Sequence, residues 1–418
     1  MREDDVQAAA GRIEELIPPF ARVFGKEEAR QHARTYLKGL MSRLARKSIE
    51  PIAKAMGGGQ ISALQKFINT APWHAATLHR EVQREFGDWL RRRPSGPVVL
   101  GVREHGFAKK GRESVGVARQ WNAASGRVEN CQSGIFLVAA AGGVSCLLDG
   151  RLYLPPSWCD GSEDVRRRRV RTRVPAGTHL RTGPQIALDL LRRCRSMALL
   201  EADWVVTGEG FCGDGEALEG LDSYDQRYLI GVPPSEVVFA RRPLPHGAWS
   251  HAGDPPGRDE IALTVSSLCE VLTADAWRTA RVRTPGGVDR EEYAVVRVRS
   301  TLPAVGVRPL WLVIRGAGAS AQDSASPGYY FSNAGPDTPF DQVAEAVHLS
   351  ESAPAFFREA DRYLGLGHYE TRSWDGWHHH MSLVALAHWL ATSAGADRPA
   401  EALREPSPGL HPNGRETV

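Results

Sequence analysis

The pattern of apolar and polar positions predicts a helical beginning, a mixed middle and a helical end. Before residue 93, apolar residues recur every three or four positions, which is typical of amphipathic helices. The predicted helical segments are RIEELIPPF, KEEARQHARTYLKGLMSRLA, QISALQKFINTAPW and HREVQREFGDWL. The stretch RRRPSGP at 91–97 has the composition of a linker.

Apolar runs and alternating patterns after this linker predict strands. VVLGVRE is the first, SVGVARQWN alternates, and the runs at 129–143 and 144–155 are long and apolar. We expect VVLGVRE to be central, with SVGVARQWN and 129–143 antiparallel beside it and 203–207 parallel on its other side. A helix predicted over Gly183 to Met197 completes the signs of an α/β fold with a mixed sheet.

The later part of the chain changes character twice. Residues 245–335 alternate Pro/Gly-rich loops with strand patterns, which predicts a β-rich insertion, and residues 336–395 return to helical spacing. The predicted organisation is therefore a helical domain at 1–92, an α/β domain at 93–244 that is completed by 336–395, and the insertion between its parts. The polar, Pro-rich residues 396–418 predict a disordered tail.

Composition and charge exclude several classes of protein. No apolar run reaches about eighteen residues, so no transmembrane helix is predicted and no membrane partner is expected. The N-terminus lacks a signal-peptide core, which favours a cytoplasmic location. The 6 cysteines are scattered without a Cys-x-x-Cys pair, which indicates reduced thiols and no zinc site. The net charge of +3 does not by itself require a nucleic-acid partner.

Candidate chemistry lies at the end of the VVLGVRE strand, where Glu104 and His105 follow the apolar run and Lys109, Lys110 and Arg112 form a basic turn. In α/β sheets such strand ends often carry the functional side chains. A second strand end, at 203–207, is followed by the turn GEGFCG, which lacks a complete phosphate-binding fingerprint.

Several motifs in the same order resemble the insertion-sequence-701 transposase family. They are FAKKGRESVGVARQWNAASGRVENCQSGIFLVAA, RLYLPPSW, TGPQIALDLL and YETRSWDGWHHHMSLVALAHWL, together with FGKEEARQHARTYLKGLMSRLARKSIEPIA near the N-terminus. The resemblance implies an RNase-H-like catalytic domain of the Asp-Asp-Glu type, preceded by a helical domain that resembles a DNA-binding region. It also implies two Mg²⁺ ions held by three carboxylates.

The family's three acid positions, carried onto this sequence, are changed. Glu104 stands at the first, with Arg103 beside it in place of an acid; Gly208 stands at the second and Pro354 at the third. Neighbouring Glu209 is a candidate ligand, but adjacent strand residues point to opposite faces. We therefore expect no metal site and the loss of the ancestral Mg²⁺. His378, His379 and His380 are consecutive, which favours a structural role over metal binding.

Basic residues provide candidate contacts to the phosphates of double-stranded DNA. They lie on the second predicted helix and around the basic turn, with a solvated helix face as the alternative: Arg34, Lys38, Arg43, Lys47, Lys109, Lys110, Arg112 and Arg119.

Three hypotheses for the function remain open. The first is a cleavage-deficient, transposase-like protein that is retained for DNA binding or another role, a domesticated pseudoenzyme. The second is a recruited metal-independent enzyme, for example in natural-product biosynthesis, that uses Glu104, His105 and Glu209 on a small molecule. The third is an active transposase. The sequence does not fix the oligomeric state.

Overall fold

The fold is built around one β-sheet with helices on both of its faces. The structure is a computed structural model that describes residues 1–56, 58–93, 96–241, 260–284, 287–300, 309–316 and 328–396. Its strands form a single 12-stranded sheet with parallel and antiparallel neighbours. The expected mixed α/β fold, consistent with an RNase-H-like domain, is confirmed. The predicted disordered tail lies outside the described residues, apart from its first residue.

The helices have the following bounds, in chain order: α1 Glu3–Gly11, α2 Ile13–Leu16, α3 Glu27–Leu40, α4 Ile49–Met56, α5 Ile61–Asn69, α6 Ala75–Arg92, α7 Glu163–Arg171, α8 Gly183–Ser196, α9 Gly215–Ser223, α10 Val265–Val271, α11 Phe340–Ser350, α12 Ser352–Glu359 and α13 Trp374–Ala396. A π-helical turn, Ala360–Leu364, continues α12. Short 3₁₀ turns occur at Pro18–Phe24, Pro156–Trp158, Glu209–Phe211 and Ala274–Ala276.

The strands have the following bounds: β1 Val99–Ala108, β2 Ala118–Asn122, β3 Arg127–Ala141, β4 Val144–Leu152, β5 Trp204–Thr207, β6 Tyr228–Gly231, β7 Val237–Arg241, β8 Glu260–Thr264, β9 Trp277–Thr284, β10 Gly287–Ser300, β11 Pro309–Arg315 and β12 Gly328–Ser332.

Strand β1 is central, as its apolar run predicts. It pairs antiparallel with β3 along its whole length and parallel with β5 at Val99 to Gly101. The prediction is wrong for β2, which pairs with β3 and not with β1. The long β3 carries β2 and β4 in succession on the edge away from β1, because its residues 131 and 134–140 pair on both sides at once.

The strands of the predicted insertion extend this same sheet. Beyond β6 the order continues through β12, β11, β10, β7 and β8, with β9 beside β10. Residues 242–259, 301–308 and 317–327 of this region lie outside the described part of the chain.

The N-terminal helices pack on α13, an almost entirely buried helix. A helix that is apolar on all sides must be surrounded by other elements. His379, within α13, places its ring nitrogens 2.8 Å from the carbonyl oxygens of Ile68 and Trp73, which agrees with a structural role. No helix of the described residues is both long and apolar enough to cross a bilayer. All six cysteines are free thiols, and four are buried.

Candidate functional site on the central strand

The middle of β1 presents different side chains to the two faces of the sheet, because the strand continues to Ala108 and does not end at Glu104 as the apolar run predicted. Arg103 and His105 face α11 and α12: Arg103 donates to the Ser350 carbonyl oxygen at 3.2 Å, and the His105 ring stacks on Phe357 with 4.4 Å between centroids. Glu104 points to the other face, where it accepts a 2.6 Å hydrogen bond from the Ser133 hydroxyl. The predicted pairing of Glu104 with His105 is therefore wrong, because a strand alternates its side chains.

Helix α12 lies directly over β1 because Gly101 leaves room for it. A Cβ atom at Gly101 would lie 3.0 Å from the Cβ atom of Ala353. This close approach brings the first turn of α12 to the level of Arg103, and it brings Pro354, half-buried, to the same side of the sheet. Pro354 has no side-chain donor or acceptor, so it contributes only shape.

No side chain that could bind a metal directly follows β5, because the next residue is Gly208. Gly208 follows the strand with φ at −81°, and a Cβ atom built on it would meet nothing within 4 Å. The adjacent Glu209 begins a 3₁₀ turn and is exposed to solvent. A larger side chain would fit at Gly208, so steric crowding does not explain the glycine.

Arg103 connects the three elements that meet here. Its guanidinium donates to the carbonyl oxygens of Val102 at 3.0 Å, Val206 at 3.5 Å and Ser350 at 3.2 Å. Burial lowers the pKa of Arg103, while Tyr330 and Glu351 act in the opposite direction. A guanidinium nevertheless keeps its proton in proteins. A fixed positive charge therefore lies between β1, β5 and the end of α11.

His105 and Asp361 form a second polar contact on this face. The Nε2 atom of His105 is 3.8 Å from Oδ2 of Asp361, which belongs to the π-helical turn. Burial lowers the pKa of His105 to about 4 and raises the pKa of Asp361. His105 is consequently a neutral imidazole near pH 7, packed between Phe107 and Phe357.

These side chains do not match the requirements of two divalent cations. Such ions need several anionic oxygen ligands. Glu104, which the sequence placed at the first acid position, lies on the opposite face, so the side chain that β1 offers on this face is the guanidinium of Arg103. A glycine and a proline stand at the other two positions, Gly208 and Pro354. Within the described residues no group of three or more His, Cys, Asp or Glu side chains is arranged to hold a metal ion.

The cations predicted to form a basic surface on the second helix do not all lie on that helix. Helix α3 ends at Leu40, where the Ser42 hydroxyl bonds to the Gly39 carbonyl oxygen at 2.7 Å, so Arg43 and Lys47 follow the helix. Lys47 was predicted to be an exposed DNA contact, but its ammonium is buried. It donates to the carbonyl oxygens of Leu40, at 2.7 Å, and Tyr363. Burial lowers the pKa of Lys47 to about 8.

The other cations of this region are held by carboxylates. Arg34 lies 3.1 Å from Glu14 and 2.8 Å from Glu27, and Lys38 lies 2.9 Å from Glu14. Arg43 is 3.0 Å from Glu3. These pairs neutralise much of the charge that composition alone assigned to a DNA-binding helix.

The basic turn after β1 is divided between the interior and the surface. Lys109 points inward, with its ammonium 3.5 Å from the centroid of the Tyr369 ring, and burial lowers its pKa to about 8. Lys109, like Lys47, was predicted to contact DNA but points into the protein. Lys110, Arg112 and Arg119 are exposed.

These three exposed cations line one depression together with Arg168 of α7, and we call it the basic groove. It has a volume of about 500 Å³ and is completed by Val117, Ala118, Asn130 and Ser157, without a carboxylate. The Arg168 guanidinium stacks 3.8 Å from the Trp158 ring and donates to the Arg112 carbonyl oxygen. No local pattern in the sequence brings the arginine run of α7 to the turn after β1.

Comparison with known proteins supports the resemblance to transposases. The family described as DDE superfamily endonuclease matches residues 19–287. A probable transposase for insertion sequence element IS701 from Microchaete diplosiphon is 27% identical over 209 residues, which cover 48% of this chain and 48% of that relative. The chain thus aligns with about half the length of the transposase. Both matches confirm the resemblance inferred from the motifs.

Proposed function

Because the chain belongs to the DDE superfamily endonuclease family, we propose that it is a transposase-like protein that binds duplex DNA and has lost metal-dependent cleavage. In this proposal the ancestral fold is retained as a scaffold. The basic groove contacts DNA phosphates, and Arg103 joins β1 to β5 and to the end of α11.

The observation that carries the loss of cleavage is the position of Arg103. Its guanidinium lies where β1, β5 and the end of α11 meet, and it bonds to the Val206 and Ser350 carbonyl oxygens. A fixed cation there repels Mg²⁺, whose binding depends on anionic oxygen ligands. The absence of a carboxylate at Gly208 and at Pro354 acts in the same direction.

The basic groove supports the retained binding of DNA. Four cations line it and no lining residue is acidic. The contacts of Arg168 with Trp158 and with the Arg112 carbonyl oxygen hold the two sides of the groove in place. Preorganised cations lose less conformational entropy when they bind a phosphate backbone. Phosphate contacts do not discriminate sequence, so the proposal predicts binding without a strong preference.

A second candidate function is a metal-independent enzyme that uses the face of His105. The contact between His105 and Asp361, on a π-helical turn, favours it, because π-helical turns recur at functional sites. A neutral imidazole beside a carboxylate has the groups for acid–base catalysis. Glu104 does not belong to this candidate site because it faces away from His105.

The test of the proposal is the salt dependence of duplex binding. The variant Lys110→Ala/Arg112→Ala/Arg119→Ala is compared with a control of equal charge, Lys38→Ala/Arg43→Ala/Arg46→Ala. The control cations are paired with Glu14, Glu3 and Glu370. Each phosphate contact contributes about 0.9 to the slope of log affinity against log salt.

We expect the groove variant to lower this slope by about 2.7, for three contacts at about 0.9 each, and the control variant to leave it nearly unchanged. Fluorescence anisotropy of a labelled duplex measures both, and circular dichroism verifies that the variants fold. Equal effects of the two variants would contradict the proposed interface. Absence of binding by the wild-type chain at low salt would refute DNA binding and favour the second candidate.

A further inference from the structure

An exposed tryptophan extends the basic groove along β2. The Trp121 side chain is 54% exposed, and its cross-strand neighbour Val128 on β3 is 51% exposed. Exposed aromatic side chains of this size are enriched at interaction sites. Among the described residues, Trp121 is the one tryptophan in the group of exposed large apolar side chains.

Trp121 shares its face of the β2–β3 ladder with a residue of the basic groove. Side chains alternate along a strand, so Arg119 and Trp121 point to one face, together with their partners Asn130 and Val128. The acidic residue of this ladder, Glu129, belongs to the other face, where it bonds to Asn122 at 2.7 Å. The face of Trp121 therefore combines a cation and an indole without a carboxylate.

The position of this face relative to the groove is fixed by Asn130. Its side-chain amide donates to the carbonyl oxygens of Lys109 and, at 2.9 Å, Gly111. The loop that carries Lys110 and Arg112 is thereby attached to the hairpin. Arg119 and Asn130 line the groove and share the face of Trp121, so the indole adjoins the groove.

We propose that Trp121 is a stacking platform for unpaired bases and that this surface binds single-stranded DNA continuous with the duplex in the groove. The inference rests on the proposed DNA binding and adds a substrate class to it. Proteins that bind single strands combine a positive groove with exposed aromatic rings, because every base has a face that can stack. A duplex conceals those faces within its own stack. The apolar area of Trp121 and Val128 alone is too small for a stable protein interface.

The experiment uses the full chain with two labelled probes, an oligothymidylate and a blunt-ended duplex of mixed sequence. The variants are Trp121→Ala and Trp121→Phe, and Leu180→Ala is a control in which an exposed apolar side chain outside this surface is shortened. Stacking of one base on an aromatic side chain corresponds to about 5- to 150-fold in affinity.

We expect Trp121→Ala to weaken oligothymidylate binding within this range, Trp121→Phe to retain most of the affinity, and Leu180→Ala to have no effect. Duplex binding should change less than about threefold, because the phosphate contacts remain. If the wild-type chain binds the duplex but Trp121→Ala leaves oligothymidylate binding unchanged, the platform is refuted and the proposed function stands. If the wild-type chain binds neither probe, the proposed function fails and the inference fails with it.

Discussion

Replacing Arg103 by methionine should loosen the helices that cover the candidate site. Methionine has a similar length but removes the charge and every donor. The bond from Arg103 to Val102 is local and the 3.5 Å bond to Val206 is long, so the 3.2 Å bond to Ser350 is the main contact between elements. A hydrogen bond with a charged donor contributes about 1.5–3 kcal/mol.

Part of that contribution is offset because the buried cation is no longer desolvated. We therefore expect the free energy of local opening at α11 and α12 to fall by about 2 kcal/mol, which corresponds to roughly 30-fold faster amide exchange. Hydrogen exchange followed by mass spectrometry measures this in peptides that span 340–359. Peptides from α5, which does not contact Arg103, serve as an internal reference.

The matched control is Arg80→Met, because Arg80 is exposed on α6. Surface substitutions of this kind usually change stability by less than about 0.5 kcal/mol. If amide exchange at α11 and α12 is unchanged in Arg103→Met, the hydrogen bond from Arg103 to Ser350 does not stabilise these helices. Slower exchange would show that the cost of burying the cation exceeds the value of its hydrogen bonds.

Three further predictions follow from the same site. The pKa of His105 is about 4 in the folded protein against an ordinary value of about 6.5, so the stability that the neutral ring contributes is lost as the pH falls from about 6.5 to about 4. His105→Gln should therefore remove up to about 3 kcal/mol of the acid destabilisation, measured by urea titration. Gly208→Ala should be tolerated in thermal unfolding, whereas Gly231→Ala should lower the melting temperature, since its Cβ would lie 2.8 Å from the backbone nitrogen of Glu209. Arg103→Asp/Gly208→Asp/Pro354→Glu should give Mn²⁺ binding by calorimetry above the wild-type level, because it puts three carboxylates on the face of Arg103. An unchanged signal would contradict the meeting of residues 103, 208 and 354 on that face.

The apolar runs were sufficient to predict the centre of the sheet. The apolar parts of VVLGVRE and of 203–207 form the parallel neighbours β1 and β5, although β1 extends beyond its apolar run to Ala108. Alternation also implies that Arg103 and Glu104 face opposite ways. Which of the two faces meets α12 depends on the close approach of Gly101 to Ala353, and this contact joins residues too distant in sequence to be found from periodicity.

The basic surface was harder to predict because charge pairing is a property of the folded chain. Lys38 and its partner Glu14 belong to different helices, so composition overstated the free charge near the N-terminus. The groove depends on the meeting of α7 with the turn after β1, which no local pattern specifies. For Trp121 a signal did exist, because strand alternation places Arg119 and Trp121 on one face, and in the structure this is the exposed face of β2.

Duplex binding compared with and without a divalent metal tests the central claim most directly. The wild-type chain is titrated into a labelled duplex in chelator and in Mn²⁺, and the same samples are then resolved on a denaturing gel. We predict that binding persists in chelator and that the DNA strands stay intact in Mn²⁺, because the groove needs no metal and Arg103 places a fixed cation where β1, β5 and the end of α11 meet. Strand breaks that appear only with Mn²⁺, or binding that disappears in chelator, would contradict this account.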